Sequence, residues 1–200
     1  MAVITGLFDT QEEAAVAVRA LKDAGIEDSD ISLIANRVDG DLAREIEVAD
    51  DAGAGAGLGA MVGGAGGLLA GLGLLTIPGI GPVVAGGWLL ATAVGTVAGA
   101  VIGGAAGGLI GALTEAGLSE EDAHFYAEGV RRGGTLVTVR VAGAAAERAE
   151  EILGDTERVD VQTRRAEYER EGWERFEEDA EPFSPEEIRD YRSLYNRNPI

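Results

Sequence analysis

From Ala52 to Thr114 the chain carries no charged residue, although 26% of all its residues are charged. Within that stretch small residues recur every four positions: Gly55, Gly59, Gly63, Gly67 and Gly71, then Gly87, Ala91, Gly95, Gly99, Gly103, Gly107 and Gly111. Four-residue spacing falls on one slowly drifting stripe of an α-helix. Glycine there leaves a groove into which a second helix backbone fits. Each glycine costs a helix in water about 1 kcal/mol relative to alanine. Close helix packing, or a bilayer in which unpaired backbone groups cost several kcal/mol, must offset that cost. The pattern predicts helices over 53–75 and 83–113, roughly 34 and 46 Å long at 1.5 Å per residue, against a bilayer core of about 30 Å. Between them Pro78 and Pro82 interrupt any helix, and Gly79 and Gly81 supply the dihedrals of a tight reversal. The expectation is a glycine-zipper helical hairpin over 52–116 with both ends on one side.

The flanking segments predict an α+β domain. Val3–Phe8 is a short apolar run of strand formers. Asp9-Thr10 then precedes Gln11-Glu12-Glu13, an N-cap with acids in the first turn, and the helix ends at Gly25. Asp30–Ala35 alternates as a strand, and Asn36–Asp51 is a polar loop. After the hairpin, Ser119 caps a helix running from Glu120 to about Arg132, and Gly133-Gly134 breaks it. Thr135–Val141 is a strand, Ala144–Leu153 a helix ended by Gly154, and Val159–Thr163 a last strand. Residues 1–51 and 117–163 then form the two halves of a ferredoxin-like βαβ-βαβ sandwich, four antiparallel strands with two helices on one face. The hairpin at 52–116 interrupts it.

Residues 164–200 form a charged C-terminal arm with Tyr168, Trp173, Phe176, Phe183, Tyr191 and Tyr195. Disordered tails are poor in aromatics. The arm is therefore expected to pack Trp173, Phe176, Phe183, Tyr191 and Tyr195 on its own domain or on a neighbouring subunit. A solvated acidic tail with incidental aromatics is the alternative.

The start VITGLFDTQEEAAVAVRALKDAGIEDSDISLIA and the segment GLSEEDAHFYAEGVRRGGTLVTVRV resemble the two halves of the YflT-type general stress protein domain, including Tyr126, Gly129 and Gly133-Gly134. The resemblance covers roughly residues 1–163. It implies a stress-induced bacterial or archaeal protein associated with a membrane, and it brings no catalytic residues.

The chemistry left to such a chain is narrow. A net charge of −19 argues against nucleic acid, whose phosphates require Lys and Arg. There is no cysteine, hence no thiolate ligand or nucleophile. Met1–Gly6 lacks the basic and apolar regions of a secretion signal, so an intracellular start is expected. The glycine-rich stretch holds no G-x-G-x-x-G, and no phosphate-loop motif occurs in the chain. His124, the single histidine, has Glu120, Glu121 and Glu128 within one helical turn. A surface histidine beside carboxylates explains it better than a metal site. The adjacent acids read as solvated helix faces, not acid/base pairs. The sequence thus predicts no catalytic residue, metal or cofactor, and no enzyme.

Two structural roles remain, both homo-oligomeric. In the first, the hairpin enters a membrane from its cytoplasmic face, contacts lipid and oligomerises through its glycine stripes. The uncharged length favours this. Acidic flanks at Asp50, Asp51, Glu115, Glu120 and Glu121, and a single interfacial aromatic, Trp88, oppose it. In the second, hairpins of a cytoplasmic assembly or shell bury one another, because so large an apolar surface is not left exposed on a monomer.

Overall fold

The computed structural model describes residues 1–36, 73–89 and 108–195. Those residues form an α+β body around a five-stranded antiparallel sheet. The strands are β1 (Ala2–Phe8), β2 (Ile31–Asn36), β3 (Gly73–Ile77), β4 (Gly81–Gly87) and β5 (Thr135–Val141), in the spatial order β1-β5-β2-β4-β3. The helices are α1 (Gln11–Asp23), α2 (Gly108–Glu115), α3 (Glu120–Arg131), α4 (Ala144–Gly154), α5 (Val161–Arg170) and α6 (Pro185–Tyr195).

Alternation along the strands divides the core in two. Phe8, Ile31, Leu33, Ala35, Val137 and Val139 face α1 and α4. Leu7, Ile34, Val83, Ala85 and Leu136 face α2, α3 and the C-terminal arm. Helices therefore cover both faces of the sheet, not one.

Local chemistry starts the helices where the sequence places them. The Thr10 hydroxyl accepts from the Glu13 amide at 3.2 Å, and the Glu13 carboxylate accepts from the Thr10 amide at 3.1 Å, a reciprocal capping box. Burial, together with nearby Asp9, raises the Glu13 carboxyl above its ordinary value against the lowering effect of those bonds. Ser119 caps α3 through the Asp122 amide at 3.0 Å. At the other end of α3 the Asn36 amide of β2 donates to the Val130 carbonyl at 3.1 Å, satisfying one of the helix's terminal acceptors.

Two expected elements differ. Residues 73–75 and 83–87 were expected in the zipper helices, with 76–82 as the turn between them; instead 73–77 and 81–87 are strands of a hairpin that extends the sheet beside β2, so Gly81 and Pro82 belong to β4 and not to the turn. Val83 and Val84 suit a pleated surface, and Ile77, Val83 and Ala85 are buried in the core. Residues 159–163 were expected as a strand. Asp160 instead accepts from the Thr163 amide at 2.8 Å and starts α5 at Val161. Arg164 then reaches Asp9 through two bonds of 2.7 and 2.8 Å, and Tyr168 is buried against Phe125. A helix satisfies all three contacts.

Candidate functional site

The hairpin turn lies under the C-terminal arm. Pro78, Gly79 and Ile80 make the turn between β3 and β4. Gly79 has φ +73°, and a side chain there would meet the Glu177 carbonyl at 2.6 Å and the Phe176 ring at 2.9 Å. Gly81 lies beneath Pro182, whose Cβ would be 3.1 Å from an added Cβ, and Pro82 is exposed. Phe176 is buried. Trp173 stands edge-on to Tyr168 with centroids 5.8 Å apart.

The arm is fastened to α3 by paired charges and rings. Arg132 donates to Glu128 at 2.7 Å and to Glu171. Its guanidinium lies 4.1 Å from the Tyr168 centroid and 4.7 Å from that of Tyr191. Burial pulls the Arg132 pKa down, but the bonds to Glu171 and Glu128 outweigh it, so the group stays charged. Arg131 lies 4.2 Å above the Phe183 ring and donates to the Glu181 carbonyl at 2.9 Å. Phe183 packs on Tyr191 at 5.1 Å, and Arg192 donates to the Gly133 carbonyl at 2.7 Å. Tyr195 ends α6.

Of the predicted helix-packing residues, Gly87 ends β4, where a Cβ would collide with the backbone of Ile31 and Ser32. It serves a close strand contact, not a helix groove. Gly111 lies half-buried in α2. Gly55, Gly59, Gly63, Gly67, Gly71, Ala91, Gly95, Gly99, Gly103 and Gly107 lie outside the described residues. Among the described residues no helix is long and apolar enough to cross a membrane. The His124 Nε2 is 3.8 Å from a Glu120 oxygen, and its Nδ1 is buried without a hydrogen-bond partner among the described residues.

No family model, curated protein or solved structure matches the chain.

A cavity of about 680 Å3 opens along the outer edge of β1, a feature the sequence does not announce. Its walls come from the Gly117–Ser119 turn and α3 on one side, the end of α4 on the other, and Arg158–Gln162 at one end. Val159 donates to the Leu7 carbonyl at 2.8 Å on that edge. Tyr126, 8% exposed, lines the cavity. Burial, then nearby Asp122, raises its pKa to about 12. The Thr5 hydroxyl is buried and has no hydrogen-bond partner among the described residues. Arg158 pairs with Glu150 at 2.8 Å, and Asp122 with Arg165 at 2.7 Å.

Proposed function

We propose that this chain is a non-enzymatic, stress-linked protein that self-associates through its uncharged glycine-rich runs, 52–72 and 90–107. The observation that carries this reading is the pairing of Gly73 with Ala85 across β3 and β4. It brings the end of the first run and the start of the second to the same end of neighbouring strands, about 5 Å apart in a sheet. Attachment at neighbouring strands suits two runs whose small-residue spacing is that of closely packed helices. The acidic body keeps such an assembly in water, and the run-bearing faces of several copies bury one another. The body itself is proposed as a ferredoxin-like sandwich altered at both edges: β1, β5 and β2 keep that order, and β4-β3 is added beside β2.

Burial between copies is supported by the attachment points. Leu89 and Leu109 are both buried in the core, so the uncharged stretch between them is anchored in the body at both ends. A membrane-inserted form is the second reading, favoured by the uncharged stretch from Ala52 to Thr114. It requires β3 and β4 to leave the sheet and the arm to release the turn.

Sedimentation of the wild-type chain and of a Gly63→Leu/Gly99→Leu variant tests the association. The expected outcome is an oligomer that the variant dissociates while the circular dichroism of the body persists. An oligomer unchanged by both leucines refutes the reading. Flotation with phosphatidylcholine vesicles separates the two forms: protein that floats and resists carbonate belongs to the membrane form.

A further inference from the structure

We propose that the cleft along β1 binds an extended peptide bearing Lys or Arg side chains, which adds to the sheet as a strand antiparallel to β1. Side chains and backbone groups alternate along a strand. Because the Leu7 carbonyl faces outward to Val159, the N–H and C=O of Thr5 and Val3 face outward too. Val159 fills the first rung of a ladder, and the chain then turns away into α5. The next rungs face the cavity. They offer alternating donors and acceptors at strand spacing, which is what a peptide backbone matches.

Tyr126 and Thr5 both line the cavity, and the buried Thr5 hydroxyl has no hydrogen-bond partner among the described residues. With its pKa raised to about 12, Tyr126 remains a neutral donor. β1 itself, AVITGLF, carries none of the charges or prolines that protect an exposed edge. The volume lies within the 300 to 1,000 Å3 that ligand pockets span, about.

The walls decide the occupant. Elements of both layers, α3 with its preceding turn and α4, line the cavity, so the edge of β1 is recessed. Two recessed edges cannot meet, which excludes β1 of a second folded copy and admits a free extended segment. Of the lining acids Asp122, Glu150 and Asp160, Asp122 pairs with Arg165 and Glu150 with Arg158, Asp160 makes no ion pair among the described residues, and the chain as a whole is −19. Basic side chains complement that balance.

The test uses the full chain, with backbone amides assigned by NMR, titrated with acetyl-Thr-Lys-Val-Lys-Thr-amide. Saturable shifts at Val3, Thr5 and Tyr126, with slowed solvent exchange of the Val3 and Thr5 amides, are expected. A ligand N-methylated at alternate residues loses ladder bonds and is expected to bind about ten-fold more weakly, the equivalent of one net hydrogen bond or slightly more. This comparison leaves the protein's fold untouched. Equal binding by the N-methylated peptide, equal binding by the Glu counterpart, or shifts confined to other residues would overturn the proposal. Val3 and Thr5 protection without peptide would overturn it as well. If that protection rose with protein concentration, the edge would belong to a second copy; if it vanished on removing residues 196–200, to the chain's own C-terminus.

Discussion

The Arg132 guanidinium lies 4.1 Å from the centroid of Tyr168, 36 positions further along the chain. This contact joins α3 to the arm, and Glu128, 1% exposed, holds the guanidinium in place at 2.7 Å. Glu128→Ala takes the buried carboxylate from Arg131 and Arg132 and leaves Arg132 only the half-exposed Glu171. Removing one partner of a buried pair costs about 3 to 5 kcal/mol, so the urea midpoint is expected to fall sharply. Glu128→Leu/Arg132→Met, which removes both charges, is expected to cost much less. Equal losses in the two variants would show that packing, not the uncompensated charge, dominates.

Gly87 and Gly117 separate crowding from backbone strain. Both have positive φ, +92° and +105°. A Cβ at Gly117 meets nothing within 4 Å, whereas one at Gly87 meets the backbone of β2. Gly117→Ala should cost about 1 to 2 kcal/mol, the penalty of left-handed backbone for an L-residue. Gly87→Ala should cost more and free the β3–β4 hairpin, seen as faster amide exchange across Leu74–Gly87. Comparable losses and unchanged exchange would argue against close strand contact as the reason for this glycine.

Asp160 gives the start of α5 a pH dependence. Its hydrogen bonds with Thr163 lower its carboxyl pKa from 3.8. A lowered folded value means the cap's contribution is present above 3.8 and is lost as pH falls through the lower folded pKa. The Thr163 amide shift should therefore move on acidification below pH 3.8. Asp160→Ala should remove that movement and cost about 1 kcal/mol.

Tyr126 titrates at the alkaline end. Burial first, and Asp122 second, raise it from 10.0 to about 12. Its contribution to stability is thus full below pH 10 and is lost as pH rises through 12. Tyrosinate absorbance should show a late step that Tyr126→Phe abolishes. A step near pH 10 from this residue would mean that its hydroxyl is solvated, not held in the neck of a recessed cleft.

The local signals were legible and the long-range ones were not. Thr10 with Glu13, Ser119 with Asp122, and the reversal at Pro78-Gly79 mark themselves, because their partners lie within a few residues. At Gly87 the glycine spacing misled for a geometric reason: every fourth residue lies on one helix stripe, but also on one face of a strand, whose period is two. Around residues 73–87 the β-branched pair Val83-Val84 and the match to β2 decide for strand, and β2 lies some 50 positions earlier. The Val159–Thr163 alternation was too short to arbitrate. Its helix depends on Asp9, 155 positions from Arg164. The cleft was illegible because it occupies the edge where that strand was expected.

The central place of β5 has a consequence during synthesis. β1 and β2 do not pair with each other; each pairs with β5, about 100 residues after β2. At roughly 5 to 20 residues per second, the uncharged run from Ala52 has left the ribosome seconds before the strand that closes the sheet exists. The acidic arm that covers the Gly79 turn follows later still. Each nascent chain thus presents its stickiest segment first and its cover last. Under the proposed self-association, neighbouring chains on a crowded polysome meet through those segments before any one of them has folded, and assembly then begins on the message itself.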